Sequence, residues 1–171
     1  MADLNDLKSF GESLIPIVQD VVQKLVKDEQ KPDTNAEDAA IVQLRKFVNE
    51  AGQETEASLE QRAAAIVAMR TALTEILMKA ATNEISLSET QALIIQTQRN
   101  ALRNAFGMLA ERSAFDSIVS LLPPADIAKI SADLEQARQG IQAKQRAKDI
   151  LDTIVSVAVV AAQIAVKVAT A

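Results

Sequence analysis

From Ile150 to Ala171 the chain reads ILDTIVSVAVVAAQIAVKVATA, and between Asp152 and Lys167 it carries no charge. A surface helix shows an apolar stripe and an opposing polar face. Here only Thr153, Ser156 and Gln163 interrupt Val, Ile and Ala, so the segment reads as apolar almost all round. Such a helix needs cover on every side, from protein or from lipid.

The 171 residues fit one helical-bundle domain, residues 1–171, with 150–171 as its apolar C-terminal helix. Hydrophobic residues make up 49% of the chain and aromatic residues 2%, so the core is aliphatic. Four Gly and four Pro are too few turn formers for repeated strands. The expected fold is therefore all-α, an elongated up-and-down antiparallel bundle of four to five long helices.

Leu4, Leu7, Phe10, Leu14, Val18, Val21 and Leu25 recur at spacings of three and four, the period of a helix. Pro16 falls inside that stripe, where it removes a donor and crowds the preceding turn. A kink or break is expected there, with Pro16 as a hinge or a packing adjustment. Thr34–Glu37 has the capping-box pattern and opens a second stripe through Ile41, Leu44, Val48 and Ala51. After Gly52 the stripe resumes at Leu59 and runs to Ala80. A continuous helix over 34–82 is roughly 70 Å long; the alternative is a break at 52–57 with a new cap at Ser58–Gln61.

Residues 83–87 read as a connection, and Ser88–Gln91 is another capping box. The next helix places Ile95, Leu102, Phe106 and Leu109 on one face, flanked by Ile94, Ala101, Ala105 and Met108, and is expected to end near Leu121. Pro123–Pro124 stops it, and a last helix starts at 124–126 and runs to the end of the chain. The second and fourth helices are expected to be the longest.

The chain has no His, Cys, Tyr or Trp. Triads and dyads that depend on His or Cys are excluded, as are thiolate metal sites. The glycines stand singly, so no phosphate loop is present. Glu50/Glu54 and Glu56/Glu60 are one helical turn apart, a spacing that solvated helix faces show routinely. The expectation is a non-enzymatic protein with no cofactor and no metal site. A net charge of −5 and the lack of stacking side chains argue against nucleic acid. The first ten residues hold acids and no apolar stretch, so no secretory leader is expected. Cytoplasmic residence and export by a leaderless route both fit.

Arg138, Lys144, Arg146 and Lys148 immediately precede the apolar run. They read either as the polar face of a helix or as the basic flank of a membrane-contacting segment. The residues assigned to membrane or partner contact are these four with Ile150, Leu151, Ile154, Val155, Val157, Val159, Val160, Ile164, Val166 and Val168. Against a constitutive span, the uncharged stretch is 14 residues, where roughly 20 are needed. There are also no Trp or Tyr belts.

In helix length and in its apolar run the chain is similar in outline to the α-helical pore-forming toxins of bacteria, such as the cytolysin A and tripartite haemolysin groups. The resemblance implies a soluble form that hides its apolar segment. That segment is here terminal rather than an internal tongue, and no functional residues carry over. Two functions are therefore expected. One is a membrane-active protein, a pore-forming toxin or a component of one, that shields its C-terminal helix. The other is a non-catalytic scaffold or interaction protein whose C-terminal helix is bundle core or oligomer seam. The partner is accordingly a lipid membrane or a protein, with a homo-oligomer among the outcomes.

Overall fold

The computed structural model describes residues 2–27, 32–112, 117–143 and 146–171. Six helices form an all-helical bundle: α1 (Leu4–Lys27), α2 (Asn35–Glu50), α3 (Leu59–Ala81), α4 (Glu89–Ala110), α5 (Pro124–Ala143) and α6 (Ala147–Thr170). Two three-residue strands, β1 (Thr55–Ala57) and β2 (Ser117–Val119), pair antiparallel.

In α1, Leu4, Leu7, Phe10, Leu14, Ile17, Val18 and Val21 are all buried, as their spacing demands. The helix is unbroken through Pro16, so of the expected kink or break the break does not occur. The carbonyl that Pro16 leaves without a donor belongs to Glu12, and both residues are exposed, so water can serve it.

The long helix expected over 34–82 does not form; the break at 52–57 does. Ala51 is buried, and its carbonyl accepts from the backbone N–H groups of Leu121 (2.9 Å) and Leu122 (3.2 Å). Thr55 pairs with Val119 and Ala57 with Ser117. The Thr55 hydroxyl donates to the Ala2 carbonyl at 2.9 Å. The α2–α3 connection is thus held by the segment after α4. Ser58 then caps α3, accepting from the Gln61 N–H at 3.0 Å. Glu50, Glu54, Glu56 and Glu60 consequently do not share one helix, and their one-turn pairing is lost.

Three further boundaries differ from expectation. Thr34 makes no side-chain cap, its backbone (φ −111°, ψ 16°) lying outside the extended region, and the Glu37 carboxylate that would return the bond turns to Lys24 at 3.0 Å. Helix α4 stops at Ala110, not near Leu121, and β2 follows. The last helix is two: Arg146 is extended (φ −117°, ψ 137°), and α6 starts afresh beyond it. The sequence there has no apolar anchor to hold one straight helix. The longest helices are α1 and α6, at 24 residues each, not the second and fourth.

Helices α2 and α5 run antiparallel. Along α2 and α5, Asn49 meets Ser131 (2.6 Å), Arg45 pairs with Glu135, and Asp38 accepts from Gln142 (3.2 Å). Asp126 of α5 pairs with Lys167 of α6. Helix α3 ends on a left-handed residue, Asn83 (φ 59°), and α4 opens with a complete Ser88–Gln91 capping box.

Lys24 and Glu37 are buried together between α1 and α2, with Asp20 at 2.6 Å from the ammonium and the Asp33 carbonyl also accepting from it. Burial pulls the Lys24 pKa down, but its bonds to Asp20 and Glu37 carry it above 10.5. Burial pushes the Glu37 carboxyl up. Lys24 therefore stabilises the fold fully below pH 10.5 and loses that contribution only as pH climbs past its folded value.

Replacing Lys24 with Met leaves Glu37 buried without its cation and is expected to cost about 3–5 kcal/mol at neutral pH. Because the Glu37 pKa is raised, the deficit shrinks as pH falls and the carboxyl takes a proton; urea denaturation followed by circular dichroism at several pH values measures both. Two glycines should respond in opposite senses. A Cβ on Gly11 would lie 3.0 Å from the Ala68 carbonyl carbon, whereas one on Gly107 meets nothing within 4 Å. Gly11→Ala is expected to destabilise by about 1–3 kcal/mol and Gly107→Ala to stabilise by about 1 kcal/mol, on the same denaturation curves.

Candidate functional site

Helix α6 touches all five other helices, most extensively α1, α3 and α4. Ile150, Leu151, Ile154, Val155, Val157, Ile164 and Val168 are buried, whereas Val159, Val160 and Val166 are half-buried. Between them Ala158, Ala161, Ala162 and Ala165 are also buried. These small side chains let neighbouring backbones come close, which is how one helix serves several partners at once.

The expectation that α6 is apolar almost all round overlooks one narrow polar line. Asp149, Asp152, Ser156, Gln163 and Lys167 follow one another at spacings of three, four, seven and four, which places them on one line. Asp149, Ser156, Gln163 and Lys167 are exposed, and Asp152 is half-exposed. The half-buried valines continue the same line. Thr153 is the polar exception, buried with its hydroxyl donating to the Asp149 carbonyl at 3.2 Å. The signal was present in the spacing of the polar residues; it was hidden because the line is only one residue wide.

The ends of α6 are tied. Asp152 accepts from the Gln91 amide of α4 at 3.1 Å, and Lys167 pairs with Asp126. Arg62 of α3, itself buried, donates to the Ala171 carbonyl at 2.8 Å. Burial, then repulsion from Arg112, lowers the Arg62 pKa.

Comparison with known proteins returns no matching family model, curated protein or solved structure.

The basic flank is dispersed over two helices. Arg138 lies half-buried on α5, Arg146 is the exposed residue preceding α6, and Lys148 is exposed in its first turn. Lys144 falls outside the described residues. Pro16 is exposed within α1. Between α5 and α6 lies an open groove of about 520 Å³, lined by Leu134, Ala137, Gly140, Thr153, Ser156 and Val160. Only Leu134 and Ile141 of α5 are fully buried, so α5 covers α6 more lightly than α1, α3 and α4 do. Among the described residues no group of three or more carboxylates is placed to hold a metal ion.

Sequence reasoning also put Phe106 on the core face of α4. The buried residues of that helix are Ile95, Leu102, Ala105 and Leu109, and Phe106 is 38% exposed. Ile94 and Met108 are exposed as well.

The two faces of α6 should respond differently to charge. Ile154→Asp places a carboxylate in the core and is expected to abolish the cooperative urea transition or cost at least about 4 kcal/mol. Ser156→Asp, on the wet line, should stay within about 0.5 kcal/mol of the wild type.

Proposed function

We propose that the protein is a non-catalytic helical scaffold or interaction protein in which α6 is the internal strut of the bundle. The observation that carries this reading is the engagement of α6 by all five other helices. Each Ile, Leu or Val fully buried contributes about 1.5–3 kcal/mol. The seven such residues of α6 together reach on the order of 10–20 kcal/mol, as much as the whole net stability of a domain. Releasing α6 into water therefore amounts to unfolding. An up-and-down course for the helices, suggested by the antiparallel α2 and α5, belongs to the same proposal.

A second reading keeps the protein membrane-active, with α6 leaving the bundle only as lipid takes over its cover. Three observations favour it: the light cover by α5, the exposed Arg146 and Lys148 at the start of the helix, and the narrow polar line. That line would face an aqueous lumen if several copies of α6 gathered in a bilayer.

Hydrogen exchange on the full chain separates the two. For a strut, the amides of residues 154–165 exchange only through global unfolding, at the same free energy as those of α3, with or without anionic vesicles. Vesicle-induced loss of protection in α5, together with release of an encapsulated dye, would overturn the strut reading in favour of insertion.

A further inference from the structure

The steps of three and four that carry Ile41, Leu44, Val48 and Ala51 down α2 and its cap do not stop at the corner before α3. They continue in strict alternation through Thr55 and Ser58 onto Arg62, Ala65 and Met69, and on to Ala72 and Ile76. Ser58 is half-buried and every other residue of this line is buried. Residues 52–58 therefore take up two helical turns, and α3 begins in phase with α2. A corner by itself sets no such phase, whereas a single helix over 35–81 requires it.

The corner is also helix-compatible. Residues 52–58 contain no Pro, Gln53, Glu54, Glu56 and Ala57 are good helix formers, and Gly52 is the poorest. What bends the chain there is remote. The Ala51 carbonyl accepts from Leu121 and Leu122, the Gly52 carbonyl accepts from the Ser120 hydroxyl at 3.1 Å, and β1 pairs with β2. Two three-residue strands are marginal by themselves. In a continuous helix the same carbonyls would accept from the N–H groups of Thr55 and Glu56, four residues on, so straightening strands neither of them.

The residues before the corner form an α1–α2 hairpin, tied within itself by Lys24 and Glu37. The hairpin packs on the rest of the bundle through α1 against α3 and α6 and through α2 against α5. Thr55 lies beside Ala2, Lys24 beside Glu37 and Gly11 beside Ala68. Along the same α1, α2 thus runs towards the corner and α3 away from it. Straightening the corner carries the hairpin off its own bundle in one piece. In water that uncovers Phe10, Leu14, Phe47 and their neighbours, so the hairpin needs a receiver of matching shape. A second, likewise straightened copy has that surface, vacated on its α3, α5 and α6.

We propose that the chain dimerises by exchanging its α1–α2 hairpin with a second copy, α2 and α3 joining into one helix over 35–81. The contacts of the hairpin outside the corner are remade with the other copy. The balance between the two forms is therefore set at the corner and by concentration. Helix α6 stays covered in both forms, so the exchange stands apart from the strut reading.

The test is analytical ultracentrifugation of the full chain refolded from urea at about 10 μM and about 1 mM. Interference detection is used because the chain has no Trp or Tyr. The dimer is expected to increase with refolding concentration. Gly52→Ala removes the poorest helix former and puts a Cβ 2.5 Å from the Ile127 side chain in the closed corner. It should raise association about thirtyfold, from two joined helices each freed of a Gly. Gln53→Gly with Glu54→Gly, both exposed, should weaken it at least about a hundredfold. The deciding measurement is the distance within one chain between spin labels at Ala39→Cys and Met78→Cys, both exposed. Labelled chains are mixed with an excess of unlabelled chain before refolding, so that only the intrachain distance is read. In the closed chain both helices lie along α1 and the labels are within roughly 35 Å. In the joined helix they stand roughly 60 Å apart. A dimer that keeps the short distance overturns the proposal in favour of side-by-side association. Monomers at about 1 mM in both the wild type and Gly52→Ala, or an undiminished dimer in the double-glycine variant, also overturn it. Hydrogen exchange in α6 is read separately, so the exchange can fail while the strut reading stands.

Discussion

The structure depends on one demand, the removal of α6 from water. Its Ile, Leu and Val side chains point in too many directions for a single partner helix to cover. The bundle answers by bringing α1, α3 and α4 against it, adding α5 more lightly and touching it with α2. Alanines at 158, 161, 162 and 165 make the crowding sterically feasible. What remains is a line one residue wide, and the chain puts Asp152, Ser156, Gln163 and Lys167 there. Polar residues in α6 are therefore not interruptions of an apolar rod. They mark where five neighbours fail to close around a sixth helix.

Helices short enough to surround α6 require connections in the right places, and these rest on backbone groups more than on side chains. A continuous helix over 34–82 would carry α2 and α3 along one axis, so that they could not pack on different sides. The break at 51–58 prevents this by giving the Ala51 carbonyl two donors from Leu121 and Leu122 and by pairing β1 with β2. Each exposed carbonyl at a helix end needs a partner. Here the partners come from a segment some seventy residues away. Gly52 adds to the fit: a Cβ there would fall 2.5 Å from the Ile127 side chain.

This long-range closure explains what the sequence disclosed and what it did not. Boundaries set by local chemistry were legible: the Ser58 and Ser88 caps, the connection after α3, and Pro124 as a helix start. Boundaries set by distant partners were not. The Thr34–Glu37 box has the right residues, but Lys24 offers the Glu37 carboxylate a buried cation, which outcompetes its return bond to the cap. Ala51 to Ala57 could continue as helix on local grounds, and the competing donors are invisible until the chain has folded. In α4 the error was one of phase. Leu102, Ala105 and Leu109 define the buried direction, and Phe106 sits to one side of it. Helical periodicity locates a face only to within a residue or so when apolar residues occupy both sides of the helix. The site residues followed the same rule. The apolar members from Ile150 to Val168 fell together on one helix, whereas Arg138 was placed on α5 and Arg146 and Lys148 at the start of α6.

The apolar side chains of the bundle thus fall into two groups. Inside, Val, Ile and Ala on α6 and the stripes of α1 and α3 supply stability, and a change there acts on the whole bundle through cavity and desolvation terms. Outside, Leu93, Ile94 and Met108 supply less of that burial, because neighbours cover them only in part. An aliphatic core of this size was not short of partners for them, since α4 already contributes Ile95, Leu102, Ala105 and Leu109 to the interior. Exposed side chains of that kind reduce solubility without adding to the core. Such side chains on α4 are the counterpart of the wet line on α6: each of the two helices keeps one side that its neighbours do not close.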